Sequence, residues 1–127
     1  MAGAKEDERM VAVANPTMTV RLLSGLGGLE EYTAYRMVTE PEDPVCWLQA
    51  IDEPAVALPC ADALAVLPDY ELELSDETVA ELEIGSPEDV RVLLVIQDWD
   101  HADRLSLSTG GPIVVNTRTG MARQIVL

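Results

Sequence analysis

The sequence predicts a mainly β protein, a small bent or closed antiparallel β-barrel-like domain with one short helix. Short runs rich in Val, Ile, Leu and Tyr recur along the chain, and clusters of Gly, Pro, Asn and Asp separate them. This pattern is typical of short strands joined by turns. Only one segment carries a full helix-start signal. With 127 residues, 48% of them apolar, the chain is long enough for a single packed core.

The first elements follow from the N-terminal third of the chain. Residues 1–9 are small and charged, so we expect a flexible N-terminus there, followed by a single domain over residues 10–127. Residues 10–14 and 18–23 are rich in β-prone side chains and flank an Asn-Pro turn signal, which predicts a first hairpin. Residues 32–39 predict the next strand.

Two further hairpins are predicted in the same way. Residues 45–51 and 55–59 flank an Asp-Glu-Pro turn, and their consecutive apolar positions indicate strands buried on both faces. Residues 112–115 and 121–127 flank Asn-Thr-Arg-Thr-Gly, which predicts the last hairpin.

The segments between these hairpins are less regular. Residues 90–96 predict a strand, and residues 98–111 a polar loop that contains a short alternation at Leu105 and Leu107. Residues 61–67 are rich in Ala and Leu and are compatible with one or two helical turns, which Pro68 cannot continue. The sequence Ser86-Pro-Glu-Asp89 predicts at most a single turn.

The one short helix is predicted to begin at Ser75. The Ser75 hydroxyl can accept a hydrogen bond from the first free N–H groups, and Asp76 and Glu77 complement the positive end of the helix dipole. Gly85 fits the left-handed backbone conformation that often ends a helix.

The charge of the chain excludes several classes of partner. It has 23 Asp and Glu against 8 Lys and Arg, a formal charge of −15. Residues 30–103 hold 20 of these acids and only Arg36 and Arg91 as cations. Such a surface repels phosphate groups, so we expect neither nucleic acid nor an anionic membrane as a direct partner. Basic proteins or cations remain as candidates.

The expected compartment is the cytoplasm. No apolar run reaches the length of a membrane span, and the first residues are charged where a signal peptide needs an apolar stretch. In a reducing compartment, Cys46 and Cys60 are expected to be buried free thiols. The alternative is a cross-strand disulfide, which requires that the two cysteines lie opposite each other on paired strands.

The sequence offers no convincing catalytic set, so we expect a protein that is not an enzyme and needs no cofactor. Gly25-Leu-Gly-Gly lacks the lysine and the β-α-β context of a phosphate loop and predicts a tight turn. The only histidine, His101, lies in Asp98-Trp-Asp-His-Ala-Asp103. This cluster lacks the spacing of a calcium loop. We interpret it as a solvated loop, with a small divalent-metal-binding domain as the alternative.

An acidic segment between residues 67 and 77 is the candidate partner-binding site. Leu72 and Leu74 alternate with Glu71 and Glu73, so one side of an extended chain can be buried while the other presents carboxylates. A solvated strand edge explains this pattern equally well. We assign Trp47 to the core and count Tyr70 among the candidate contacts. The candidate contact residues are Asp69, Tyr70, Glu71, Glu73 and Asp76.

Several motif blocks, in order, resemble the flagellar assembly factor FliW family. They are Gly25-Leu-Gly-Gly-Leu-Glu30, Trp47-Leu-Gln-Ala-Ile-Asp-Glu-Pro54, Pro68-Asp-Tyr-Glu-Leu-Glu-Leu-Ser-Asp-Glu77, Ser86-Pro-Glu-Asp-Val-Arg-Val-Leu93 and Pro112-Ile-Val-Val-Asn116. The resemblance implies a β-barrel-like protein without catalysis. It also implies two cytoplasmic partners, flagellin and the RNA-binding translational regulator CsrA, so that the flagellin level is coupled to flagellin translation.

The chain departs from the family pattern at two places. It contains no Phe, and Leu29 and Val45-Cys46 stand where the family usually has aromatic residues. Residues 107–112, Leu-Ser-Thr-Gly-Gly-Pro, replace the family's Thr-Ala-Asn motif. Apolar replacements of adequate volume keep a core folded, so we expect the fold to be retained. A diverged structural adaptor that has lost the flagellar partners is the alternative function.

Overall fold

The protein is a closed β-barrel of seven strands in the computed structural model, which describes residues 17–39, 43–99 and 105–127. Strand order around the barrel follows the chain. This confirms the predicted mainly β barrel. The strands are β1 (Thr17–Leu22), β2 (Ala34–Thr39), β3 (Val45–Ala50), β4 (Ala57–Asp62), β5 (Val90–Trp99), β6 (Leu105–Asn116) and β7 (Met121–Gln124).

One pair of neighbouring strands in the barrel is parallel. Each strand pairs antiparallel with the next one along the chain, but β1 and β7 close the barrel in parallel, with Arg21 opposite Met121 and Leu22 opposite Ala122. The reason is the odd number of strands. When direction alternates from strand to strand, the first and the seventh run the same way, so the closing pair is parallel.

Alternating side chains from all seven strands fill the barrel. The core includes Tyr35, Leu48, Leu93 and Ile113, each fully buried. Burying such side chains removes apolar surface from water and is the main stabilising contribution. Cys46 belongs to this core, and Leu29 is partly buried against it.

The assignment of Trp47 to the core is wrong. Its strand neighbours Cys46 and Leu48 both point into the barrel, so the alternation of a strand turns Trp47 outward. Its side chain is 45% exposed. Tyr35 is instead the fully buried aromatic residue among those that the structure describes.

Two short helices and a 3-10 turn lie on the connection between β4 and β5, one more helix than the single short one predicted. They are α1 (Ala63–Val66), α2 (Asp76–Glu81) and the turn Pro87–Asp89. The helix predicted after Ser75 is confirmed, because the Ser75 hydroxyl accepts a hydrogen bond from the Thr78 N–H at 3.1 Å. The additional helix, α1, forms from the residues predicted to make one or two turns.

The residue that ends α2 in the left-handed conformation differs from the prediction. Glu83, rather than Gly85, adopts the left-handed conformation, with φ of 54°. The Glu83 N–H donates to the Ala80 carbonyl and the Ile84 N–H to the Val79 carbonyl, the hydrogen-bond pair of a Schellman motif. Gly85 lies two residues beyond the turn.

The three predicted hairpins have two different outcomes. The hairpins formed by β3 with β4 and by β6 with β7 are confirmed. The first hairpin depends on residues 10–14, which lie outside the described residues, as do residues 1–9 and residues 100–104 with His101. Gly25-Leu-Gly-Gly forms the predicted turn, in which the Leu29 N–H donates to the Leu26 carbonyl at 2.8 Å.

The predicted polar loop over residues 98–111 is wrong for most of its length. Residues 98 and 99 end β5, and residues 105–111 begin the long strand β6. The only local signal for a strand there is the short alternation of Leu105 and Leu107 with polar residues. The backbone groups of β5 need hydrogen-bond partners along its length, and two register shifts, between Leu93 and Val95 and between Ile96 and Asp98, allow β6 to supply them.

Cys46 and Cys60 lie directly opposite each other on β3 and β4 as free thiols. Both side chains are fully buried in the barrel. Burial raises the pKa of the Cys46 thiol to about 11 and that of the Cys60 thiol to about 12. The expected buried free thiols are thus observed, in the facing geometry that the disulfide alternative requires.

Candidate functional site

The part of the acidic segment that carries the candidate contact residues, residues 69–76, crosses the outside of the barrel from the end of α1 to the first residue of α2. Residues 69–75 belong to neither strand nor helix, so the interpretation as a strand edge is wrong. β4 pairs directly with β5 and leaves no place in the sheet for another strand. The predicted alternation is nevertheless present, because Glu71 and Glu73 are exposed while Leu72 and Leu74 are half-buried.

An apolar groove of about 500 Å³ lies beneath this segment. Leu72 and Leu74 of the acidic segment form one side, and Val79 and Ile84, on and just after α2, form another. Val90 and Val92 of β5 contribute the barrel side. Because the groove is open and lined mainly by aliphatic side chains, it can receive apolar side chains of a partner.

A second hollow, of about 660 Å³, continues from the groove on the other side of Leu72. It shares Leu64, Leu72 and Val92 with the groove and adds Tyr70, Glu71 and Glu73. The apolar groove and this hollow together form one concave surface with carboxylates along its border. Leu64 on α1 is the most exposed of the shared residues, at 61%.

An ion pair in the groove lining joins α1 to the barrel. The Arg91 Nε donates to Asp62 Oδ2 at 2.8 Å, and Asp62 also accepts a hydrogen bond from the Leu64 N–H at 3.1 Å. Asp62 therefore caps α1 and neutralises Arg91 at the same time. Its charge is compensated and does not add to the acidic border.

The border itself is uncompensated. Arg118 lies 3.6 Å from Asp89, and Arg123 pairs with Glu81. In the part of the chain that the structure describes, none of the acids of the predicted site is in an ion pair. These are Asp69, Glu71, Glu73 and Asp76.

Tyr70, the aromatic residue of the predicted site, is half-buried at one side of the second hollow. Burial raises the pKa of its phenol, so at neutral pH it presents a neutral hydroxyl. The structure therefore brings Tyr70, Glu71 and Glu73 together around one hollow. Asp69 and Asp76 lie at the two ends of the same segment and line neither the apolar groove nor the second hollow.

The sequence did not predict several residues of the concave surface. Leu64, Ile84 and Val92 come from separate elements, and only folding brings them to the acidic segment. The one signal that could have identified a groove residue was the position of Val92 on the outward side of a predicted strand. Within the described ranges, no group of His, Cys, Asp and Glu residues is arranged to hold a metal ion. The Asp98–Asp103 cluster lies largely outside those ranges.

Comparison with known proteins gives a consistent result. The family model described as FliW protein matches residues 6–127. Flagellar assembly factor FliW of Treponema denticola is 29% identical over 85% of this chain and 74% of its own length. Flagellar assembly factor FliW of Syntrophus aciditrophicus is 33% identical over 81% of this chain and 66% of its own length.

A solved structure is similar as well. A crystal structure of the flagellar assembly factor FliW superposes with a TM-score of 0.76 at 27% sequence identity, covering 86% of this chain and 77% of the other. No helix among the described residues is long and apolar enough to cross a membrane.

Proposed function

The chain belongs to the FliW family of flagellar assembly factors, and we propose that it acts by binding two proteins, flagellin and the translational regulator CsrA. In this proposal it sequesters flagellin and antagonises the repressor CsrA, so that the flagellin level is coupled to flagellin translation. It does so in the cytoplasm, without catalysis and without a cofactor.

The single observation that carries the proposal is the concave apolar surface with its carboxylate border. An open apolar surface of this kind favours protein binding, because covering it removes aliphatic side chains from water. Glu71 and Glu73 flank Leu72, so a partner that buries Leu72 also meets both carboxylates. The contact residues of the proposal are Asp69, Tyr70, Glu71, Glu73 and Asp76.

The charge of this border favours CsrA as its partner. A protein that binds RNA is basic on its RNA-facing or neighbouring surfaces, and a basic surface approaches an uncompensated acidic border faster than a neutral one does. The same charge disfavours RNA itself and anionic lipid, since the whole chain carries −15. In this proposal the protein affects an RNA only through the protein that binds it.

The proposal is tested by reversing the two central charges. We expect the double variant Glu71→Arg/Glu73→Arg to lower the association rate constant with purified CsrA about tenfold at low salt. The difference shrinks as ionic strength rises and the charges are screened. Stopped-flow or surface plasmon resonance measurements over a salt series give the rates.

A matched control separates local contact from total charge. Asp52→Arg/Glu53→Arg changes the net charge by the same amount at two exposed residues of the β3–β4 loop, away from the groove. We expect it to reduce the rate far less. Equal reductions in both double variants, or an unchanged rate for Glu71→Arg/Glu73→Arg, would overturn the assignment of this surface. A pull-down of flagellin with the same variants tests the other partner.

A further inference from the structure

The outer face of strands β1–β4 carries a row of apolar side chains centred on Trp47. In the sheet register, Val38 of β2 lies opposite Trp47 of β3, and Trp47 lies opposite Pro59 of β4. Side chains that face each other across neighbouring strands are in contact distance. Val38 and Pro59 are half-buried, and Trp47 is 45% exposed. The three residues form one continuous apolar row in which the indole is the most prominent group.

The charges on this face have the opposite sign to the charge of the protein. Alternation turns Arg21, Arg36 and Trp47 outward, because their strand neighbours point into the barrel core. Arg36 lies opposite Thr19, two residues from Arg21, so the two guanidinium groups are diagonal neighbours. Among the described side chains of β1–β3, these two arginines are the charged ones, and Asp62 at the end of β4 is paired with Arg91.

Neither arginine is neutralised by the part of the fold that the structure describes. In the described ranges, no carboxylate forms an ion pair with Arg21 or Arg36. Arg91, Arg118 and Arg123, in contrast, are each paired with an acid. A chain with a formal charge of −15 thus keeps two exposed arginines on this face that pair with no carboxylate of the described ranges. Arg36 is the diagonal neighbour of Trp47, because Val38, two residues along β2, lies opposite the indole.

We propose that this Trp47 face, defined by Arg21, Arg36, Val38, Trp47 and Pro59, is a second docking surface, whose occupant is an acidic protein segment with an apolar anchor. Trp and Arg are the residues that most often dominate the binding energy of protein interfaces. The anchor packs on the indole and the two flanking residues of the row, and carboxylates of the segment pair with the arginines.

The occupant is a protein segment rather than a second copy or a nucleic acid. Two copies of a chain with charge −15 repel each other, and a polyanionic RNA meets the same repulsion along its whole length. A short acidic segment needs only the local field of two arginines. The face lies on β1–β4 and shares no residue with the apolar groove, so the inference is independent of the proposed function.

Three synthetic peptides of equal length, with the same leucines and with Glu, Gln or Lys at the remaining positions, test the proposal. Each is titrated into the full-length protein at low salt, with the Trp47 indole N–H and the Arg36 amide followed by NMR. We expect the Glu peptide alone to shift both signals, with an affinity that falls as salt is added. The variants Trp47→Ala and Arg36→Glu are each expected to weaken its binding at least about tenfold.

The groove variant Glu71→Arg/Glu73→Arg is the control, and it is expected to bind the Glu peptide as well as the unmodified protein does. Failure of the Glu peptide to shift the two signals would overturn the proposal. Equal binding by all three peptides, or binding of a uridine oligonucleotide to the same signals, would also overturn it. None of these outcomes bears on the groove and its proposed partners.

Discussion

Asn116, the last residue of β6, donates a hydrogen bond from its side-chain amide to the backbone carbonyl of Leu82, at 2.7 Å. The same amide donates to the carbonyl of Glu83 at 3.2 Å, and its oxygen accepts from the Arg118 N–H at 2.9 Å. Asn116 is fully buried. It satisfies carbonyls that the end of α2 leaves free and so fixes one side of the apolar groove to the barrel.

This attachment explains how Glu83 is held in a conformation that favours glycine. With φ of 54°, a residue with a Cβ atom is strained by about 1 kcal/mol. We therefore expect Glu83→Gly to raise the free energy of unfolding by about 0.5–1 kcal/mol, measured by urea denaturation.

Two control variants separate the backbone effect at Glu83 from other causes. Glu83→Gln removes the charge and keeps the strain, so it should change stability by less than about 0.5 kcal/mol. Gly85→Ala tests the original expectation that Gly85 makes the exit. A Cβ atom there meets no atom within 4 Å and φ is not positive, so no loss is expected. A clear loss in Gly85→Ala would contradict this assignment of the exit.

Tyr35 predicts a stabilising substitution in the core. Its side chain is fully buried, and its hydroxyl has no hydrogen-bond partner in the described part of the chain. An unsatisfied buried hydroxyl costs about 1–3 kcal/mol. We expect Tyr35→Phe to raise the free energy of unfolding by about 1 kcal/mol in thermal or urea denaturation. Tyr32→Phe, at a half-buried position, is the matched control, with little change expected. A loss of stability in Tyr35→Phe would show that the hydroxyl is satisfied.

The facing thiols predict a dependence of stability on alkaline pH. Burial holds the pKa values of Cys46 and Cys60 at about 11 and about 12, above the value of about 8.5 in an unfolded chain. Below that value both states are protonated and stability is constant. As pH rises above it, only the unfolded chain loses protons, so stability falls until the pH reaches the folded pKa values. For the two thiols together we expect a loss of about 3–4 kcal/mol between pH 8 and pH 10.

Denaturation of the double variant Cys46→Ala/Cys60→Ala over the same pH range checks this origin. The variant is less stable at every pH because truncation leaves cavities in the core, but its stability should decline less steeply. Native protein at pH 8 should also react with a thiol reagent only as fast as it opens, since both thiols are buried and protonated. Equal slopes for the two proteins would refute a contribution from the thiols.

Sequence patterns predicted the elements with strong local signals. The Ser75 cap, the two hairpins after residue 45 and the alternation of Leu72 with Glu71 and Glu73 need only neighbouring residues to be recognised. Trp47 was misassigned because its residue type outweighed its position. The alternation through Cys46 and Leu48 places it on the outer face, whereas the consecutive apolar residues 45–48 had predicted a strand buried on both faces.

Other features depend on contacts between distant parts of the chain. Residues 105–111 become a strand because β5 supplies the pairing partner, and the short alternation of Leu105 and Leu107 is the only local signal for it. The parallel contact of β1 with β7 follows from the number of strands, which requires the whole topology. The groove likewise combines Leu64, Leu72 and Val92 from three separate elements. A site built by packing in this way is only partly visible in the sequence, through the segment that carries its charges.

Leu64 provides the sharpest test of the apolar part of the groove. It is 61% exposed in the free protein and lines both the apolar groove and the second hollow. A bound partner is therefore expected to cover it. Leu64→Ala should then change the free energy of unfolding by less than about 1 kcal/mol but raise the dissociation rate constant from CsrA about 5- to 30-fold. Leu23→Ala is the matched control, since Leu23 is 42% exposed and lines neither the apolar groove nor the second hollow.

The salt dependence separates this apolar contact from the charge effect. Because apolar contact is short-ranged and insensitive to salt, the effect of Leu64→Ala should persist at high ionic strength, where the effect of the Glu71 and Glu73 reversals fades. An unchanged dissociation rate, or an equal increase in Leu23→Ala, would place the contact with CsrA outside the groove.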